Sequence, residues 1–552
     1  MSKGLPVGPV LLGFAAAFAL SSPGLAADSI SGSVKSAQEA VMEGVVVTAR
    51  LEGASFSVSV VTDASGRYAF PADRLAAGRY NVTARAAGYD LAGRPMTDVK
   101  AGQTASLHLQ LQPAKDLPAQ LTNAEWLTSM PGTDEQKKFL LNCNSCHSLE
   151  RIVKSKYDAE GFLDIFQRMS GYYPGSTPER PQPLAGSARR EGLARDGDSA
   201  KTAEWLASIN LSKQATWSYP LKTLPRVSGK STKVIITEYD LPNKAIQPHD
   251  VIMDRQGMVW YSDFGQMFLG RLNPADGRVT EYPIPETKKN FPVGTLDLET
   301  DHNDDLWIGV MYQGSIAKFN RASGTFRTWS IPKAWDSDAG QLGHLATNAL
   351  HVDNKVWIKN SDGNNIYRLD LATDQIESLG SFKDPVTGKR FGSYGIHADS
   401  RNNLYLLDYS AGNIGRIDAK TKAFTVYVTP TPKSRPRRGR VDAQDRLWFA
   451  EYGSDGVGML DPESGRITEW KIPTKWSAPY DAMLDRHGDA WTGSMLTDRV
   501  ARINTATGEV IEYPLPRSTN IRRVFVDDRS KPGVLWIGNN HGASIVKVEP
   551  SP

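Results

Sequence analysis

The sequence predicts a mainly β chain, a seven-bladed β-propeller preceded by a small all-α domain and a β-sandwich. Three observations carry that reading. From residue 233 onward an apolar strand centred on Trp or Tyr returns at Trp260, Trp307, Trp357, Tyr405, Trp448, Trp491 and Trp536, in steps of about 43 to 50 residues. That is the period of a four-stranded propeller blade. Between 117 and 212, two stretches of helical apolar spacing bracket the chain's two cysteines, Cys143 and Cys146. Before them, residues 28–113 alternate apolar and polar positions between short turns, the pattern of strands in a small sandwich.

A chain of 552 residues with 40% hydrophobic and 23% charged residues has room for several ordinary globular domains. Its 64 basic and 61 acidic residues leave a formal charge of +3. So even a balance gives no long-range field for nucleic acid or an anionic membrane surface. Residues 1–27 read as a secretory signal peptide: Lys3, then the apolar run Val10 to Leu20, then small residues up to Ala26 and Ala27. That run falls short of the roughly 20 residues a membrane span requires, and no later stretch reaches it. The mature chain is therefore expected in the periplasm or outside the cell, without a membrane span.

The first globular segment carries its strands in "GVVVTARL", "FSVSVVT" and "SLHLQLQ", with turns at "TDASGRYAF" and "AAGRYNVTARAAGYD". This grammar resembles the carboxypeptidase regulatory-like domain, a transthyretin-like sandwich. The resemblance implies an accessory module without catalytic residues.

The next segment holds "CNSCH", Cys143 to His147. Cys-x-x-Cys-His is the attachment signature of c-type haem. The two thiols add to the porphyrin vinyl groups, and His147 supplies an axial iron ligand. A structural zinc site would call for further cysteines or spaced histidines, and a thioredoxin-like dithiol for a βαβ context that the flanks lack. The motif sits between a helix opening at Thr133 or Asp134 and a second helix over Ser199 to Ser212. The whole, roughly Leu117 to Ser212, resembles a small cytochrome c domain. Met169 is the candidate second axial ligand, since a soft thioether suits haem iron. Its competing role is core packing, on one helical stripe with Phe162, Ile165 and Phe166. Residues 213–232 read as a linker.

In the propeller, the strand "TEYDLP" at 237 returns as "TEYPIP", "RTWSIP", "TEWKIP" and "IEYPLP". The last repeat lacks its own copy, so the strand beginning at Val234 is expected to complete it and close the ring. The repeats resemble the virginiamycin B (streptogramin) lyase family over nearly all of Val234 to Val548. Pairing of the first hairpin about its turn sets His249 opposite Asp263, at the channel end of an innermost strand. Alignment of the other blades brings Leu296, Asn348, Tyr394, Arg437, Tyr480 and Arg522 to the His249 position. The resemblance implies His249, after Pro248, as the catalytic base of an elimination and Asp263 as a magnesium ligand. The chain departs from that pattern in Gln247, where an acidic ligand is expected, and in Leu296 and Arg522, where the family has a histidine.

Arg437, Arg438 and Arg522, with Tyr394 and Tyr480, form the alternative channel chemistry, suited to an anionic small molecule. Salt bridges to Asp263, Asp408 and Glu451 are the competing role for these arginines. Two functions follow as expectations. One is an exported haem protein that transfers electrons, its propeller docking a redox partner or binding an anionic ligand. The other is a metal-assisted lyase in the propeller channel.

Overall fold

The computed structural model describes residues 1, 29–189, 198–212 and 214–551. The signal peptide expected over residues 1–27 lies outside the described residues, apart from Met1. Among the described residues no helix is long and apolar enough to cross a membrane.

Residues 234–550 form seven four-stranded antiparallel blades, six of them separate sheets and the seventh part of a larger one. In four blades the innermost hairpin is pinned by a turn aspartate six residues before the strand tryptophan. In the first blade Asp254 accepts from the backbone of Gln256 and Met258 through one oxygen and from the Trp260 indole through the other, at 2.8 Å. Asp301 with Trp307, Asp442 with Trp448, and Asp485 with Trp491 repeat the device. A carboxylate that satisfies a turn and a buried indole at once leaves neither orphaned, which is why the short motif recurs.

The ring closes as expected. Strand Val234–Asp240 pairs antiparallel with Ser544–Pro550, Ile236 opposite Val548, and completes the seventh blade. Its other edge is also paired, with Phe56–Val61 of the N-terminal sandwich, Thr237 opposite Val58. Blade seven and one sandwich sheet are thus a single eight-stranded sheet. The shared edge covers backbone groups that would otherwise invite aggregation. Arg85 to Asp498 and Arg74 to Glu549 add ion pairs across this junction.

Between sandwich and propeller lie, among the described residues, five α-helices: α1 (Asn123–Ser129), α2 (Asp134–Lys138), α3 (Glu150–Val153), α4 (Ala159–Ser170) and α5 (Ser199–Ile209). Thr122 and Thr133 both close capping boxes, on Glu125 and Gln136, so the short α1 and α2 start at defined residues. α4 and α5 bury Phe162, Phe166, Ala203, Leu206 and Ile209. That core continues without a break into the propeller face through Tyr452, Trp476, Tyr480, Met495 and Leu496. The stretch read as a linker joins it too: Trp217, Tyr219, Leu221 and Leu224 pack there, and Leu224 N–H donates to Glu125 at 2.7 Å.

Candidate functional site

Two sites meet at one end of the propeller axis. The first is a cavity of about 840 Å³ in the helical segment, within the range of about 300–1,000 Å³ usual for cofactor pockets. Cys143, Cys146 and His147 line it together with Met169, and Phe139, Ile152, Phe162 and Ile165 supply apolar wall. Arg151, Lys156 and Arg168 also face it, with no carboxylate among the lining residues. The two cysteines are free thiols. Burial pushes the Cys143 thiol up to about 12, the reverse of the lowered value a redox dithiol needs. The His147 Nδ1–H donates to the carbonyl of Ser148 at 3.0 Å, which leaves Nε2 as the lone-pair nitrogen. Burial holds this imidazole below its ordinary value, hence neutral and able to ligate. Two thiols, a neutral imidazole, a thioether and an apolar cavity of this size fit a covalently held haem.

The second site is the mouth of the propeller channel. Its residues lie on the innermost strands, which in every blade but the second carry a register shift near the channel end. In the first blade Pro248 pairs with Asp263 and Val251 with Tyr261, so a one-residue bulge falls between them. Pro248 therefore stands opposite Asp263, correcting the expectation that placed His249 there. The bulge sends His249 and Asp250 both inward, and blades four to seven repeat the shift. Blade three shifts as well, at Leu342/His344. Gly343, not Asn348, occupies the His249 position there. Helix α6 (Leu350–Asp353) replaces a simple hairpin turn in that blade, lengthening it by the residues that spoiled the alignment.

Two stacked rings result. The inner one, Asp250, Asp297, His344, Arg438, Asp481 and Arg523, is a network of ion pairs and hydrogen bonds that Glu299 and Arg440 extend. Arg438 meets Asp297 at 2.5 Å and Asp250 at 3.5 Å, while Arg523 meets Asp250 at 2.7 Å and Asp481 at 3.4 Å. All four of these carboxylate and guanidinium partnerships are fully buried. Arg438, expected to bind ligand, is instead consumed here. Its partners are Asp297 and Asp250, which alignment by strand position had not singled out.

The outer ring holds His249, Leu296, Gly343, Tyr394, Arg437, Tyr480 and Arg522. His249 is fully buried, its Nδ1–H donating to Asp250 at 2.6 Å and its Nε2 accepting from the Tyr480 hydroxyl at 2.9 Å. Tyr480 in turn is 2.7 Å from the Tyr394 hydroxyl. Arg437 is boxed by four rings, with Tyr480 at 4.3 Å, Tyr452 at 4.4 Å, Tyr394 at 4.9 Å and Tyr409 at 5.0 Å from its guanidinium carbon. Asp263 accepts from the backbone N–H groups of Gln247 and Gly265 and from the Gln266 side chain. Burial raises its carboxyl to about 6. With both oxygens engaged, no three His, Cys, Asp or Glu side chains converge on a metal-sized site among the described residues. Asp263, the expected magnesium ligand, is thus taken up by amide donors of the protein itself.

The cysteine loop itself roofs this ring. Tyr452 donates to the carbonyl of Leu141, Asn520 to that of Asn144 at 3.1 Å, and Arg522 to that of Ser145 at 2.9 Å. Further round the rim, Tyr312 donates to Pro174 and Gln247 to Gly175, the stretch that follows α4. Sequence reasoning missed this roof, because nothing in the local pattern of "CNSCH" says what its outer surface packs against.

Burial lowers the His249 pKa to about 4, against an ordinary 6.5, although the Asp250 carboxylate opposes the shift. Acid between those values protonates this residue only in the unfolded chain, so His249 withdraws stability as pH falls from 6.5 to 4. His249→Gln removes that contribution. The variant's stability relative to the wild type is expected to rise over that interval by up to about 1.4 kcal/mol per pH unit, read from urea melts at each pH.

Comparison with known proteins agrees with the two β domains. Residues 29–112 match the carboxypeptidase regulatory-like domain and residues 380–551 the virginiamycin B lyase family. The N-terminal domain is carboxypeptidase regulatory-like and the propeller virginiamycin B lyase-like. A streptogramin B lyase structure superposes with a TM-score of 0.50 at 21% identity, over 59% of this chain and 100% of that one. A virginiamycin B lyase from Staphylococcus aureus gives 0.49 at 23% identity, over 57% and 99%. A catalytically inactive form of that enzyme with quinupristin gives 0.49 at 24%, over 57% and 99%. At these identities the likeness is one of fold. No curated protein matches the chain significantly.

Proposed function

We propose that this chain is an exported c-type haem protein, periplasmic or secreted, in which a cytochrome c-like segment transfers electrons and the propeller is its platform. The observation that carries the reading is the cavity whose walls bring Cys143, Cys146, His147 and Met169 together. Haem, when bound, supplies a one-electron iron couple. The chain's own residues do the rest. Cys143 and Cys146 tether the group, the Ser148 carbonyl orients the His147 ring, and Phe162, Ile165 and Phe166 exclude water from one side. Low water access and a thioether ligand both raise a haem potential. A redox partner protein docks beside the exposed Tyr157, which lines the cavity.

The lyase reading finds no support in the geometry. Its base would be His249, which is fully buried, hydrogen-bonded at both nitrogens and in the ring that residues 141–145 cover. A cyclic depsipeptide has no way to it without lifting the helical segment.

Met169 tests the electron-transfer reading. With the thioether ligated, the reduced wild type is expected to resist carbon monoxide. Met169→Ala should bind it and shift the potential downward. Visible spectra that do not change in the variant would return Met169 to a packing role. Carbon monoxide binding by the wild type would replace electron carriage with chemistry at an open iron.

A further inference from the structure

The two channel rings differ in how they balance charge. Every guanidinium of the inner ring has a carboxylate: Asp297 and Asp250 for Arg438, Asp250, Asp481 and Glu299 for Arg523. The outer ring buries two more, Arg437 at 7% and Arg522 at 2% exposure. Neither is within ion-pair distance of a carboxylate among the described residues. Arg437 meets four tyrosine faces and the Met495 sulfur, and Arg522 meets the Ser145 carbonyl and, at 3.4 Å, Asn540. Both lie against one ring, Tyr480, at 4.3 and 5.5 Å. Burial lowers the Arg522 pKa, and the neighbouring Arg437 charge adds to the effect. Two like charges this close and this dry require a counter-charge.

Orphaned polar atoms gather at the same place. The Nε groups of Arg437 and Arg522, the Asn540 amide nitrogen, the Asn520 amide oxygen and both ends of the Asn144 side chain lack partners, and the three asparagines are at most 1% exposed. Hydrogen bonds tie these residues together: Asn520 to the Asn144 carbonyl, Arg522 to Asn540 and to Ser145. Buried donors of this kind are rarely left empty-handed.

We infer that Arg437, Arg522 and Asn540, walled by the rings of Tyr480 and Tyr394, form an enclosed site for a small carboxylate of one or two carbons, roofed by the cysteine loop. Planar guanidiniums and an amide donor suit the planar, two-oxygen face of a carboxylate. The aromatic walls and the Leu141 to Ser145 roof limit it to a compact anion. This goes beyond the proposed function by giving the anionic ligand expected from the sequence a place and a size, and it rests on that function only in taking the haem-bearing loop as the lid.

Thermal unfolding of the full-length haem-loaded protein, titrated with formate at constant ionic strength, tests it. Saturable stabilisation by formate is expected, with affinity at least about tenfold weaker in Arg522→Gln and Arg437→Gln. Lack of saturation in the wild type overturns the inference whether or not the variants fold, and so do variants that bind formate as tightly as the wild type. Chloride that stabilises equally well would assign an adventitious ion only. A phenolate absorbance in the anion-free protein near neutral pH, lost in Tyr394→Phe, would make an ionised Tyr394 the counter-charge and overturn it likewise. None of these results touches covalent haem staining, so the two readings fail separately.

Discussion

Cys143→Ala with Cys146→Ala abolishes the haem stain that the wild-type chain is expected to keep after denaturation, when both are produced in a bacterium with the c-type maturation system. The effect is all or none, because thioether bonds survive unfolding and coordinate bonds do not. The structure sharpens the expectation in two ways. The Cys143 thiol, pushed up by burial, is a poor nucleophile on its own, so it is not an activated redox dithiol that would account for the motif instead. The cysteine loop is also held from outside the cavity, by Tyr452, Asn520 and Arg522 acting on the carbonyls of Leu141, Asn144 and Ser145. The side chains of Cys143 and Cys146 are left to face the cavity while the backbone faces the propeller. The double variant should therefore fold with its propeller intact and run colourless. A colourless wild type would remove the haem reading altogether.

What could be read ahead of the structure was local or periodic. The blade step, the closing strand from Val234 and the sandwich all come from patterns that repeat within a few dozen residues, and each is where the sequence placed it. The same holds for the helix stripe of Phe162, Phe166 and Met169. The errors came from one-residue effects. A bulge after Pro248 moves His249 out of register with Asp263 and turns two neighbouring residues inward. Counting along strands therefore found most of the outer ring but passed over the carboxylates of the inner one, Asp250, Asp297 and Asp481. Blade three failed for a related reason, since α6 takes the place of a turn that the count assumed. Contacts between domains left no trace in any pattern. Neither the eight-stranded sheet through Thr237 and Val58 nor the loop over Arg522 follows from propensity or spacing, because both depend on surfaces far apart in the chain.

The inner ring supports the second large prediction, that Asp250→Ala costs about 3–5 kcal/mol, the usual price of breaking a buried ion pair from one side. Asp250 is 1% exposed and serves four partners: Arg523 at 2.7 Å, Arg438 at 3.5 Å, the His249 Nδ1–H at 2.6 Å and the backbone of Leu298 at 2.9 Å. Those partners come from blades one, two, five and seven, so one carboxylate ties strands that no backbone ladder joins. Its removal leaves Arg438 with Asp297 and Arg523 with Asp481 and Glu299, which limits the loss but not the desolvated imbalance. Urea denaturation should show the transition midpoint falling sharply in Asp250→Ala and less in Asp250→Asn, which keeps shape and hydrogen bonding. The exposed pair Lys230 to Glu509 is the contrast; Lys230→Ala should cost at most about 1 kcal/mol. Adding Arg523→Met to Asp250→Ala should recover part of the loss, because an apolar side chain in place of an unmatched charge restores balance in a dry site. Were the double variant as unstable as the sum of the singles, the ring would owe its stability to packing rather than to charge pairing.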